Sequence, residues 1–153
     1  MAGTLDSMKD PRLVCAFHEV GHAVVATLTG HCVESMELFD AHASGLQART
    51  RFAAHPNCPT AYADLAVTLA GAIAESVFTG RHLLSVLNEG EHFEASDLCR
   101  ARREAHRLWR LHLYHSADHA LLVAENRARS MLEEHWGLVA KTAQALYAQG
   151  RID

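Results

Sequence analysis

His18, Glu19 and His22, in the stretch His18-Glu19-Val20-Gly21-His22, are the residues of this chain whose types and spacing point most directly to a chemistry. Two histidines four apart on a helix project from one face and can hold a single Zn²⁺, and the glutamate between them can act as general base toward a metal-activated water. That is the equipment of a zinc hydrolase. The chain contains 12 histidines in 153 residues, so the bare pattern arises by accident often enough that its setting has to support it. The plain alternative is a pair of core histidines hydrogen-bonded to backbone.

The setting is helical. From Pro11 to Thr29 apolar residues recur at Leu13, Val14, Phe17, Val20, Val24, Val25 and Leu28, with Asp10 placed to cap the start, Pro11 at the first helical position and Gly30 placed to end it. Val14, His18, Gly21, His22 and Val25 fall in one stripe, which directs both imidazoles toward the rest of the fold.

A catalytic zinc needs three protein ligands and an open position. A carboxylate near the start of an inward-facing helix would serve, and Asp97 shares its face with Ala101, Ala105 and Leu108, so Asp97 is the candidate third ligand. Glu75 could accept the second ring N–H of a ligating histidine, or play a capping or surface role. His112, His115 and His119 would share a face of an unbroken helix and suggest a second metal site, although packing roles suit them better. Arg100, Arg103, Arg107 and Arg110 recur along one side of the Asp97 helix, opposite the Asp97 face, as a basic stripe for nucleic acid or an acidic partner, or simply as a solvated face. No donor for an oxyanion is identifiable beyond the permissible guesses His92 and Tyr114.

The elements around these residues read as mainly α. After Gly30 two short alternating runs, Val33 to Phe39 and Leu46 to Phe52, flank a turn and predict a β-hairpin whose second strand could be an edge for an extended substrate or an ordinary covered strand. Pro56 and Pro59 mark a loop, Thr60 is placed to cap an alanine-rich helix through Leu65, Val67, Leu69, Ile73 and Val77, and Gly80 ends it. Residues 81–93 carry no clear period, with Asn88-Glu89-Gly90 suggesting a turn. Helical spacing resumes at Glu94, again after Ser116, and a last time from Gly137.

Length predicts one domain over residues 1–153 that buries a core without staples, so zinc would be functional rather than structural. A net charge of −4 gives no general attraction to nucleic acid. Cys15, Cys32, Cys58 and Cys99 are widely spaced and no secretory signal is evident, which predicts a reducing, cytoplasmic setting. Leu65 to Phe78, interrupted by Thr68 and Glu75, is the nearest approach to a membrane span and is too short, so no membrane insertion is expected.

The order of these segments resembles the peptidase domain of the FtsH family of membrane-anchored ATP-dependent zinc proteases. Residues 13–26 are similar to that family's His-Glu-Ala-Gly-His-Ala helix, residues 69–80 to its Gly-Arg-Ala-Ala-Glu-Glu helix with a trailing glycine, and Ala95-Ser96-Asp97-Leu98 to the segment that supplies an aspartate as third ligand. The resemblance implies an FtsH-peptidase-like helical zinc-protease fold, ligands His18, His22 and Asp97, Glu19 as base, and unfolded or flexible polypeptide as substrate. No stretch of the given sequence resembles that family's ATPase module or membrane anchor, so the expectations are a peptidase domain that works with or without a separate ATPase or adaptor chain or, alternatively, a non-catalytic zinc-binding adaptor that keeps the fold. A zinc amidohydrolase of small substrates is a third reading. Ser76 and Ser96 depart from the family pattern, which leaves substrate handling and oligomeric state open.

Overall fold

Two helices that cross at small residues form the centre of this protein. The computed structural model describes residues 10–41, 45–53, 61–89 and 96–153. Helix α1 (Pro11–Leu28) starts where Asp10 accepts a hydrogen bond from the Arg12 N–H at 2.9 Å and Pro11 occupies the first turn. It ends before Gly30, whose φ of 92° turns the chain away. Helix α2 (Leu65–Thr79) is capped by Asp64, which accepts from the Ala66 N–H at 3.0 Å, and stops at Gly80 in the left-handed conformation.

The expected mainly α class with a hairpin is observed. Strands β1 (Val33–Ala41) and β2 (Gly45–Phe52) pair antiparallel with Leu38 opposite Ala48. A two-residue strand the sequence pattern did not reveal, β3 (Arg151–Ile152), pairs with the other side of β1, so among the described residues the sheet order is β2-β1-β3 and β2 is an edge. Helix α3 (Leu83–Glu89) takes in Asn88 and Glu89 of the expected Asn88-Glu89-Gly90 turn, whose Gly90 lies outside the described residues; with one turn's spacing between its buried residues, Leu83 and Val86, the helix is too short to show a period. Helix α4 (Asp97–Arg110) begins after Ser96, whose hydroxyl accepts from the Cys99 N–H; Glu94, where the helical spacing resumes in the sequence, lies outside the described residues. Helix α5 (Ala117–Glu134) is capped by Ser116 as expected, and α6 (Trp136–Gln149) closes the fold.

Three expectations need correcting. The cap of α2 is Asp64, because its carboxylate sits two residues before the free Ala66 N–H; Thr60 lies outside the described residues, and a 3-10 turn (Ala61–Ala63) precedes the cap. The helix carrying His112, His115 and His119 is not continuous: α4 ends at Arg110 and His112 takes a φ of 58°, so these histidines share no helix face. Arg100 does not stand opposite Asp97; its Nη1 lies 3.8 Å from Asp97 Oδ1.

The core is built from α1 and α2 against α5, α6 and α4, with Val20, Val25, Val67, Ile73, Leu132 and Leu146 fully buried. Phe17, buried in the core, stacks on Phe78 with ring centroids 3.8 Å apart, which joins α1 to the end of α2. Among the described residues no helix is long and apolar enough to cross a membrane.

Gly21 is where the two central helices touch. A Cβ there would meet the Ala70 carbonyl oxygen at 2.6 Å and the Ala74 Cβ at 2.7 Å, and the first of these is backbone that cannot swing aside. Gly21→Ala is therefore expected to lower unfolding free energy by about 1–3 kcal/mol, despite the better helix propensity of alanine, as measured by urea denaturation.

Candidate metal centre

The stripe of α1 that carries His18 and His22 lies over α2, and the start of α4 closes the third side. His18 Nε2, His22 Nε2 and Asp97 Oδ2 converge there: Asp97 Oδ2 is 2.9 Å from His18 and 3.1 Å from His22, and the two imidazole nitrogens are 3.2 Å apart. Among the described residues this is the one cluster of three ligand-type side chains close enough to hold an ion.

Each imidazole is oriented by its other nitrogen. The His22 Nδ1–H donates to the Val67 carbonyl at 2.7 Å, which leaves Nε2 to present its lone pair, and the His18 Nδ1–H donates to the Glu75 carboxylate at 2.9 Å. Of the two roles open to Glu75, the imidazole-orienting one is the contact observed.

The donor set fits a cation. With both imidazoles neutral and protonated at Nδ1, their Nε2 lone pairs and the Asp97 oxygen would be three acceptors facing one another, an arrangement that positive charge, as a shared proton or a metal ion, would hold together. A tetrahedral zinc with bonds of about 2.0–2.1 Å spaces its ligand atoms about 3.3 Å apart, close to the triangle observed. Gly71 of α2 forms the floor beneath this triangle: a Cβ there would overlap His22 Nε2 and come within 2.7 Å of the His18 ring.

Glu19 points from the same helix into the adjoining cleft. The residue is 8% exposed, and its carboxylate accepts a hydrogen bond from the Thr50 hydroxyl of β2 at 2.6 Å. The cleft encloses about 700 Å³ and is lined by all four residues His18, Glu19, His22 and Asp97, with Thr50, Tyr62 and Arg100 among its other walls. The Tyr62 ring packs edge-on to His22 with centroids 5.5 Å apart, and the Arg100 guanidinium lies 4.6 Å over the Tyr62 ring. Burial pushes the Tyr62 hydroxyl above its ordinary range, reinforced by the charges of Glu19 and Asp97, so it remains a hydrogen-bond donor at neutral pH.

Thr50, Tyr62, Gly71 and the Val67 carbonyl were not picked out from the sequence. Thr50 and Tyr62 stand outside any motif and reach the site only through tertiary packing, while Gly71 lies inside a segment already singled out and its glycine was the available signal. Tyr114 is elsewhere, on a separate cleft beside His31 and Asp64, and its ring contacts His119; His92 lies outside the described residues.

Residues 11–87, half of the 153-residue chain, match the peptidase M50B-like family. The chain belongs to that family. No curated protein matches it. Membership supports a metallopeptidase in general, and a metal, typically zinc, with it. The family is a different one from the FtsH peptidases that the motif order resembles; the metallopeptidase class is what the two share. The matched span includes His18, Glu19, His22 and Glu75 and stops short of Asp97, whose place beside them rests on the fold.

The electrostatics predict a pH signature. Burial opposes charge on His18, but hydrogen bonds to Asp97 and Glu75 and the charges of Asp97 and Glu19 outweigh it and hold the imidazole pKa well above 6.5. Burial also opposes charge on Asp97, and the charge and hydrogen bonds of His22 and His18 outweigh it, holding the carboxyl below the usual range. A raised histidine pKa stabilises the fold fully below about 6.5, and that contribution is lost as pH rises through the folded value. A depressed aspartate pKa stabilises above about 3.9 and is lost as pH falls. Chelator-treated protein should therefore melt at its highest temperature in mildly acidic buffer and lose thermal stability above neutrality, whereas added zinc should stabilise it more as pH rises, since the ion must displace the His18 proton. Differential scanning calorimetry across about pH 5 to 9 measures both. Gly71→Ala is expected to weaken zinc affinity by about 10–100-fold with little loss of helix content, read by competition with a metal indicator and by circular dichroism.

Proposed function

We propose that the protein is a zinc-dependent endopeptidase that hydrolyses peptide bonds of unfolded or flexible polypeptides, with His18, His22 and Asp97 as the metal ligands and Glu19 as general base. The observation that carries this reading is the convergence of His18 Nε2, His22 Nε2 and Asp97 Oδ2 within 3.2 Å of one another, in the cleft that the Glu19 carboxylate also lines. The FtsH-like order of segments, in which an aspartate at this point is the third ligand, supports the choice of Asp97.

Zinc bound there would polarise a peptide carbonyl and acidify a water toward neutral pKa. The chain's own groups account for the rest. Thr50 engages one Glu19 oxygen and leaves the other to take a proton from the water as its oxygen bonds to the carbonyl carbon. When the C–N bond breaks, Glu19 returns that proton to the departing nitrogen. Glu75 keeps the His18 ring in its ligating orientation. The outer edge of β2, which no other strand pairs among the described residues and which has Ala48, Arg49 and Thr50 along the cleft, suits an extended polypeptide, whose backbone it can pair irrespective of side chains.

Glu19→Gln should retain one equivalent of zinc by elemental analysis and lower kcat on a fluorescently labelled disordered polypeptide by about 10²–10⁴-fold. Asp97→Ala should lose both zinc and activity. Equal activity of Glu19→Gln and wild type would overturn the assignment.

A further inference from the structure

The catalytic cleft does not end at Arg100. A second open groove, about 710 Å³, shares Tyr62 and Arg100 with it and runs away along α4, lined by Arg103, His106, Arg107 and Arg110. Among the described residues that line it, four arginines meet one glutamate, Glu104, whose carboxylate binds Arg107. Arg103, Arg107 and Arg110 are solvent-exposed along the helix, and Arg100, at the junction, is held by the Tyr62 ring face and by Asp97. The chain as a whole carries a net charge of −4, so this concentration of positive charge is local and opposed to the average.

We propose that this groove binds an acidic stretch of the polypeptide substrate, so that the protein prefers to cleave next to a run of aspartate or glutamate residues. The inference rests on the peptidase reading, because its geometry is the continuity of the groove with the cleft. From Arg100 to Arg110, ten residues of helix span about 15 Å, which an extended peptide covers in about four or five residues. A strand entering along β2 past the ligands would exit over Tyr62 and Arg100 and lay its next side chains against the arginines. Arginine forks suit carboxylates in this arrangement, and exposed pairs of modest individual strength add up along a stretch of that length. Nucleic acid would satisfy the same charges, but nothing in a nucleic acid would use the cleft to which the groove leads.

The test separates binding from turnover. Zinc-loaded Glu19→Gln protein is titrated into labelled peptides that share a neutral centre and carry about four glutamates, glutamines or lysines on one flank or the other, read by fluorescence anisotropy. The glutamate peptide of one polarity should bind about tenfold tighter than its glutamine counterpart, and the difference should shrink in about 0.5 M salt. The same measurement with Arg103→Glu/Arg110→Glu added should reverse the preference toward lysine, and with Arg103→Gln/Arg110→Gln should reduce it. Wild-type protein should cleave the preferred acidic peptide with a lower KM than the neutral one. Equal binding of glutamate and glutamine peptides, a preference that survives charge reversal, or displacement of the acidic peptide by a weaker-charged single-stranded oligonucleotide would overturn the groove. If the binding preference holds and reverses while wild type cleaves nothing, the groove stands and the peptidase reading falls. If both peptides are cleaved with the same KM, the peptidase reading stands and the groove falls.

Discussion

The approach of α1 to α2 is the constraint on which the site depends. Imidazole side chains are short relative to the diameter of a helix, so two of them can meet a third ligand from another helix only if nothing stands between. Gly21 allows the backbones to close to contact with Ala70 and Ala74, and Gly71 leaves the space that the His18 and His22 rings occupy. One glycine sets the distance between the helices, and the other sets the room for the rings. The alanines of α2 serve the same end, since Ala66, Ala70 and Ala74 are buried with little side chain to hold the helices apart. The composition of this helix, which as a sequence looks merely like good helix-forming material, is a packing requirement.

Around that crossing, charge is distributed among elements far apart in the chain. Glu75 comes from the last turn and a half of α2, Asp97 from the first residue of α4, and Thr50 from β2, and each touches a different atom of the α1 motif. Two carboxylates bracket His18, one at each ring nitrogen, so the ring is held by its electrostatics as well as its packing. The result is a group of acidic and basic side chains tied together by hydrogen bonds that run from α1 to α2, α4 and β2.

What could be read from the chain and what could not divides along sequence separation. The motif helix, its Asp10 cap and its Gly30 stop are signalled within a few residues, and so is the Ser116 cap of α5. Asp97 was also accessible, because it combines a helix start with an inward face. The partners of these residues were not: the Val67 carbonyl has no side-chain signature, and Thr50 and Tyr62 are common residue types whose positions depend on how the hairpin and the 3-10 turn pack onto α1. The histidines after α4 show the opposite error, in which a helical spacing was carried past Arg110 through residues that turn instead. The arginine stripe was visible, but its continuity with the cleft was not, since that continuity is made by Tyr62 from another element.

Thr50 ties two parts of the site that are usually considered separately. It belongs to the edge strand, and its hydroxyl is also the hydrogen-bond donor to the Glu19 carboxylate, across 31 positions of sequence. A strand that twists or shifts when its free edge is filled would carry that hydroxyl with it, and the carboxylate would follow. In the proposed reaction, occupancy of the strand and alignment of Glu19 would thus be mechanically geared, so that a poorly seated chain would meet a carboxylate out of alignment, and discrimination among substrates would arise in the turnover step even where binding makes none.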